Sequence, residues 1–195
     1  MSDHVEQFAL VDAVPAGTDL VAAAYRALES GGLVPAGQGL DEVPIGGSGM
    51  TGAVTDAGPA ALVVGGRTVG PVWITPERQQ FVNLEGDMHT RCPRCGQVLG
   101  AAAGDEDPGE MSGQLSDALE AWDESGLEPV QTCVQCGFTG PWGDWDVAMS
   151  GVIGQIGLCV VDEDEGELDS AEVDAVLKAL REGTGRRWAY VHYWG

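Results

Sequence analysis

Two short stretches of the chain share one pattern, Cys92-Pro93-Arg94-Cys95-Gly96 and Cys133-Val134-Gln135-Cys136-Gly137. Each places two cysteines in a tight turn, and the glycine suits such a turn because it tolerates a positive φ angle. A tetrahedral zinc ion requires four ligands, and two turns of this kind can supply four thiolates from opposite sides. The sequence therefore predicts one bound Zn²⁺. The predicted ligands are Cys92, Cys95, Cys133 and Cys136.

Four thiolates on one zinc ion leave no open coordination position, so the predicted site is structural. Arg91 and Arg94 lie beside the first turn, where their charge favours ionised thiols. A dithiol redox site is the main alternative, but redox Cys-x-x-Cys motifs begin a helix, and Gly96 to Gly100 does not read as one. His89 could replace a ligand, although a surface position or a position beside the ligands fits its spacing better.

This pair of motifs resembles the zinc-ribbon superfamily over residues 91–138. The resemblance implies a metal site and no particular activity. The chain as a whole resembles small bacterial proteins that carry a split zinc ribbon before a terminal β-α-β unit, which implies a fold and again no activity.

The totals describe a folded protein without a membrane span. The chain has 195 residues, 44% of them hydrophobic, and no run of 18 apolar residues. Its first residues, Met1 to Glu6, lack the basic start and apolar core of a signal peptide. Four of the five cysteines fall in the paired motifs, which favours metal binding in a reducing compartment over disulfides. We expect a cytoplasmic protein.

The charge is strongly acidic, with 31 acidic and 9 basic residues and a formal net charge of −22. Such a surface repels phosphate backbones, so we expect no nucleic-acid partner. Residues 1–91 carry a net −7 and residues 92–195 a net −15. Two interpretations stay open: an acidic face for a basic partner, or acidity that serves solubility alone.

The stretch between the two motifs is long for a compact ribbon. It has 37 residues between Cys95 and Cys133, and residues 96–132 include nine acidic and no basic side chains. Residues 105–109 predict a solvated loop, and a helix is predicted over 112–125. Its apolar stripe comprises Leu115, Ala118, Leu119 and Trp122. We expect this insert to fold over the ribbon as an acidic helical flap.

The N-terminal half predicts a strand at residues 6–14 and a helix from Thr18 that ends at Gly31-Gly32. Residues 60–64 and 67–75 predict a hairpin across Gly65-Gly66, and residues 80–84 a further strand.

The C-terminal half predicts a single buried strand over 152–161, in which Cys159 is a small buried apolar residue. Residues 162–169 read as a solvated acidic turn, with an irregular calcium site as the alternative. Asp169 and Glu172 form a capping box for a helix that ends near Gly183, and residues 187–194 predict an aromatic strand. Trp142 and Trp145, after the second motif, either cover the metal and the core edge or contact a partner.

These elements predict an α+β fold, a two-layer sandwich with a mainly antiparallel sheet and an inserted zinc ribbon that carries an acidic helical flap. We assign residues 1–85 and 147–195 to the sandwich domain. Residues 86–146 form the ribbon segment, with its helical insert at 96–132.

No set of residues in the sequence forms a recognisable catalytic motif, so none is assigned as catalytic. The expected function is binding of a basic protein, as an inhibitor, an immunity protein or an adaptor. The candidate partner-binding residues are Asp105, Glu106, Asp107, Asp162, Glu163, Asp164 and Glu165. An enzyme with a pocket between sheet and ribbon, involving His192, is the alternative, and a thiol redox protein the third.

Overall fold

The structure, a computed structural model, describes residues 4–13, 18–36, 60–75, 77–83, 89–98, 108–162 and 167–194. Within these ranges it contains three α-helices and nine β-strands, and the paired strands are antiparallel. This confirms the predicted α+β class. The strands are β1 (His4–Leu10), β2 (Ala61–Val64), β3 (Arg67–Thr75), β4 (Gln79–Val82), β5 (Val130–Thr132), β6 (Thr139–Pro141), β7 (Gly151–Gly154), β8 (Ile156–Asp162) and β9 (Trp188–Trp194). The helices are α1 (Thr18–Ser30), α2 (Pro108–Ser125) and α3 (Ser170–Thr184).

A five-stranded sheet with the order β2-β3-β8-β1-β9 forms the centre of the protein. Strand β1 lies between β8 and β9, so that Phe8 is opposite Leu158 on one side and Tyr190 on the other. Side chains alternate between the two faces of a strand. Phe8 and Leu10 accordingly enter one core cluster, and Val5 and Ala9 enter a second. The sheet is therefore buried on both faces.

Helices α1 and α3 pack on the first face of the sheet. The cluster beneath them includes Phe8, Leu28, Leu158, Val176, Leu180 and Trp188. The two helices approach closely at Gly183, where an added Cβ would lie 2.3 Å from the Cβ of Ala27. The sequence predicted Gly183 to follow the helix, whereas Gly183 lies in its last turn. The helix continues to Thr184, and Gly185 caps it with a φ of 63°.

The second face of the sheet is covered by α2, by the β4–β7 pair and by the chain around the cysteines. Its cluster includes Val5, Ala9, Phe81, Leu119, Trp122, Trp142 and Val191. The stripe predicted for the helical flap is present, since Leu115, Leu119 and Trp122 are all buried. The flap begins earlier than predicted, because Pro108 and Gly109 lie in α2 rather than in a loop. Proline is favoured in the first helical turn, where its missing N–H would have no intrahelical acceptor.

The predicted strand at 152–161 is two strands, which corrects the sequence-based expectation. β7 pairs with β4, whereas β8 pairs with β1 and β3, and the N–H of Gln155 between them donates to the carbonyl of Leu10. The ring of Phe81 occupies this corner. A Cβ at Gly157 would lie 2.1 Å from that ring, so the glycine is required for the ring to pack there.

Two local predictions are confirmed in detail. Gly65 and Gly66 connect β2 to β3 with φ angles of 60° and 85°, the left-handed values that a primed hairpin turn needs. The side chain of Asp169 accepts from the N–H of Glu172, whose carboxylate in turn accepts from the N–H of Asp169.

The division into a sandwich domain and a ribbon segment stays a prediction. No helix within the described ranges is long and apolar enough to cross a bilayer.

Candidate metal centre

The two cysteine motifs adopt the same turn. In the first, the N–H of Gly96 donates to the carbonyl of Cys92 at 2.9 Å, and Gly96 has a φ of 71°. In the second, the N–H of Gly137 donates to the carbonyl of Cys133 at 2.9 Å, with a φ of 70°. A side chain at either glycine would strain the backbone. Neither motif begins a helix, so the arrangement typical of thiol redox sites is absent from these two turns.

The turns bring together Cys92, Cys95, Cys133 and Cys136, whose sulfurs all lie within 4.8 Å of one another. Two pairs join one turn to the other: Cys92 to Cys136 and Cys95 to Cys133, each with Sγ atoms 3.6 Å apart. Four Zn–S bonds of about 2.3 Å in a tetrahedron place the sulfurs about 3.8 Å apart. The four side chains therefore match a closed four-thiolate metal site.

The two ends of the site differ in exposure. The first cysteine of each turn, Cys92 or Cys133, is buried in the second core cluster, whereas Cys95 is exposed and Cys136 half-buried. A metal ion held here would connect the core of the protein to its surface.

The electrostatics of the cluster differ from thiol to thiol. The backbone N–H of Cys136 donates to Cys133 and lowers the pKa of that thiol to about 7. At Cys95 the backbone N–H of Gln97 acts in the same direction, but desolvation and the three neighbouring thiols outweigh it and raise its pKa to about 12. Adjacent thiols resist losing several protons in succession. A divalent cation removes this resistance, because it stabilises every thiolate that it binds.

Trp142 and Trp145 lie in the second core cluster, which agrees with their predicted position at the core edge. Both are buried in the cluster that contains Cys92 and Cys133. The Trp142 indole N–H donates to the carbonyl of Gly151 at 2.9 Å, and the ring of Trp145 packs edge-on to Phe138. Both indoles therefore belong to the core edge and are not exposed for a partner.

The charged residues near the first turn lie at its surface. Arg91 pairs through its backbone with Asp146, and both Arg91 and Arg94 are exposed. His89 is half-buried, its N–H donates to the carbonyl of Met149, and it is not part of the sulfur group.

A cluster of charged residues that the sequence did not predict joins the metal centre to the sheet. The guanidinium of Arg187, just before β9, contacts both oxygens of Glu128 at 2.8 and 2.9 Å and Asp144 at 2.7 Å. The backbone N–H of Arg187 donates to Asp12, and the N–H of Gly143 donates to Glu128. Hydrogen bonds from Arg187 to Glu128 and Asp144 raise the pKa of Arg187 further above its usual value.

A second arginine fixes the acidic flap. Arg78, before β4, donates to the carbonyls of Trp122 and Asp123 and forms an ion pair with the Asp123 side chain. These are carbonyls of the last turn of α2, where a positive charge is favourable to the helix dipole.

A buried polar cluster lies within the sheet, away from the cysteines. Glu6 on β1 is fully buried; it accepts from the Tyr190 hydroxyl, lies 3.1 Å from Nδ1 of His192 and accepts from the N–H of Leu168. Burial and the neighbouring Glu6 raise the pKa of Tyr190. His192 was a candidate from the sequence and Glu6 was not, although the pairing of β1 with β9 places residues 6 and 192 directly opposite each other.

Most of the remaining predicted site residues lie outside the described ranges. Six of the candidate partner-binding residues, Asp105, Glu106, Asp107, Glu163, Asp164 and Glu165, lie outside the described residues. Asp162 is the last residue of β8, opposite His4 on β1. Cys159 is buried, and burial raises the pKa of its thiol to about 12, which confirms its prediction as a buried apolar residue.

Comparison with known proteins adds no relative. No family model, no curated protein and no solved structure matches the chain.

Proposed function

We propose that this protein is a zinc-stabilised, non-enzymatic acidic protein that binds a basic protein partner, as an inhibitor, an immunity protein or an adaptor. The zinc holds the ribbon segment, residues 89–98 and 108–146 of the described chain, against the sheet. The function then resides in the surface that this segment presents.

The donor set supports zinc as the metal. Four thiolates in a tetrahedron are typical of zinc or of iron–sulfur chemistry, and four separate sulfurs with one central position fit a single ion. Such a site has no place for a substrate or an activated water, so the metal contributes stability and not catalysis.

The distribution of charge carries the binding part of the proposal. No basic residue occurs between Arg94 and Lys178, a stretch that includes the whole of α2 and β5–β8. Three arginines that reach this part of the molecule, Arg67, Arg78 and Arg187, are already paired with carboxylates. Arg91 and Arg94 are exposed beside the first cysteine turn. A basic partner would be attracted over a long range and released by salt.

The test uses the zinc-loaded full chain as bait in a lysate of its own host, washed with increasing salt. Bound metal is counted by mass spectrometry in the same preparation. We expect one zinc per chain and one basic protein in stoichiometric amount, which moderate salt releases and which rebinds when purified. Iron in place of zinc would overturn the metal assignment. Retention of nothing at low salt would overturn the binding function.

A second candidate, an enzyme, is favoured by one observation, the group formed by Glu6, Tyr190 and His192. Carboxylate, phenol and imidazole in contact are the groups that general acid–base catalysis uses. Modification with diethyl pyrocarbonate distinguishes a structural His192 from a catalytic one. A structural His192, 4% exposed, stays unmodified in the native protein, whereas a catalytic His192 reacts and a substrate protects it.

A further inference from the structure

The hairpin formed by β5 and β6, with the segment that leads into it, carries exposed apolar side chains. Among the described residues, the exposed large hydrophobics are Leu127, Val130 and Val134, at 76%, 66% and 82%. All three fall within eight consecutive residues, which span at most about 25 Å of extended chain. A single partner surface can therefore cover all of them. Single exposed apolar residues are ordinary, but a group of them indicates an interaction site.

The outer edge of β5 is open in the described part of the chain. Strand β5 pairs with β6, and the N–H of Cys133 and the carbonyl of Pro129 both bond towards β6. Because the direction of these groups alternates along a strand, the backbone groups of Val130 and Thr132 point away from β6. In the described ranges no further strand pairs with that edge. An open edge without lysine is a template for another strand.

The chain that leads into this edge is negative. The exposed residues of α2 include Asp117, Glu120 and Glu124, and residues 96–132 contain no basic side chain. Four thiolates around Zn²⁺ would carry a net charge of about −2 close to Val134, which the exposed Arg91 and Arg94 beside the first turn would offset. A second copy of this chain would bring its own −22 and be repelled. The charge therefore selects a basic occupant.

We propose that residues 127–134, here called the hairpin patch, bind an extended basic segment of a partner protein. The segment adds to the open edge of β5, its alternate apolar side chains cover Val130 and Val134, and its lysines or arginines face α2. Strand β5 has only three residues. The backbone bonds are therefore few, and the apolar and charged contacts supply the affinity. This proposal rests on the proposed function, for which it names the surface and the chemistry of the partner.

The test uses two nine-residue peptides of equal charge as probes, one alternating lysine with valine and the other alternating lysine with serine. Each is titrated into the zinc-loaded, ¹⁵N-labelled full chain at low salt while amide chemical shifts are recorded. We expect the lysine–valine peptide to bind at least about tenfold more tightly, since each buried valine contributes roughly one factor of ten. Its largest shifts should fall at residues 127–134.

Surface variants localise the effect. We expect Val130→Ser and Val134→Ser each to weaken the lysine–valine peptide by roughly tenfold, and Ala175→Ser, exposed on α3, to have no effect. The double change Glu120→Gln with Glu124→Gln should weaken both peptides. Asp174→Asn with Glu182→Gln removes the same charge from α3 and should change little. Bound zinc in every variant reports that the fold is intact.

The outcomes separate the two proposals. Equal binding of both peptides, with shifts spread over the acidic surface, would overturn the hairpin patch and leave the acidic binding function standing. Binding of neither peptide at low salt would overturn both. Self-association of the wild type that Val130→Ser abolishes would show that a second copy occupies the patch, which contradicts a basic partner.

Discussion

The sandwich, which is the five-stranded sheet with α1 and α3, and the ribbon segment are stabilised in different ways. Strand β1 has seven residues and pairs on both sides, and its first face packs in a large hydrophobic cluster beside the buried group of Glu6, Tyr190 and His192. Strands β5 and β6 have three residues each and pair only with each other in the described chain. The ribbon segment instead has four cysteines and two arginine clusters. A short segment with too little apolar surface of its own depends on a metal and a few strong polar contacts.

The largest effect should come from removing a ligand. We expect Cys133→Ser to abolish stoichiometric zinc and to destabilise the protein by several kcal/mol, since metal binding and folding of such sites are coupled. Unfolding of the ribbon segment would also expose Val5, Ala9 and Val191 on the second face of the sheet. Calorimetry with metal analysis measures both losses.

Cys159→Ala is the matched control, because it removes a buried thiol that is not part of the sulfur group. It should keep one zinc per chain. In the zinc-loaded, folded wild type at pH 8, we expect Cys159 to resist alkylation, since it is buried and its pKa of about 12 keeps it a neutral thiol. Unchanged melting and zinc content in Cys133→Ser would contradict the structural role of the metal.

A cavity in the sandwich should lower the free energy of unfolding and leave zinc binding unchanged. Leu180 is fully buried between α3 and the sheet, so Leu180→Ala should cost about 2–5 kcal/mol. Zinc affinity, measured by competition with a chromogenic chelator, should stay unchanged because no ligand contacts this cluster. Loss of zinc in parallel with stability would show that the two regions unfold as one unit and that the contrast between them is wrong.

An intermediate effect is expected at the junction of the two regions. Arg187→Ala leaves Glu128, Asp144 and Asp12 facing one another without a cation, and should cost about 1–3 kcal/mol. Arg187→Lys keeps the charge but loses the paired contact with both oxygens of Glu128, so it should recover part of the loss. Hydrogen exchange of residues 128–146 is the measurement. Faster exchange in the sandwich alone would contradict a role in docking the ribbon segment.

The smallest effect concerns an ion pair within the sandwich. Arg67 lies 3.1 Å from Glu172 and lowers the pKa of that carboxyl through its hydrogen bonds. A lowered folded pKa contributes stability above the unfolded value of about 4.3, and the contribution disappears as the pH falls through the folded pKa. Arg67→Ala should therefore lose no more than about 1 kcal/mol at pH 7 and nothing in strong acid. A loss that is equally large in strong acid would contradict the ion pair as its cause.

Much of the local structure could be predicted from the sequence, and the reasons are short-range. The apolar stripe of α2, the Gly65-Gly66 turn and the Asp169 capping box each depend on residues within a few positions of one another. The metal ligands could be predicted for the same reason, because each half of the site is a single five-residue turn.

Errors arose where distant packing decides. The strand at 152–161 is divided at Gln155 because Phe81, from another strand, occupies the space over Gly154 and Gly157. Helix α3 continues beyond Gly183, because this glycine serves as the contact with Ala27 of α1, where a Cβ would not fit. Neither neighbour is visible in the local pattern.

The sequence by itself determined the ligands, the acidity and the order of most helices and strands, since these follow from residue type and short spacing. Only the tertiary structure decided that Arg187 joins Asp12, Glu128 and Asp144, and that Glu6 contacts His192 across 186 positions of chain. It also decided that Val130 and Val134 are exposed while Trp142 and Trp145 are buried. Burial and pairing between distant residues depend on how the whole chain packs, which no local spacing encodes.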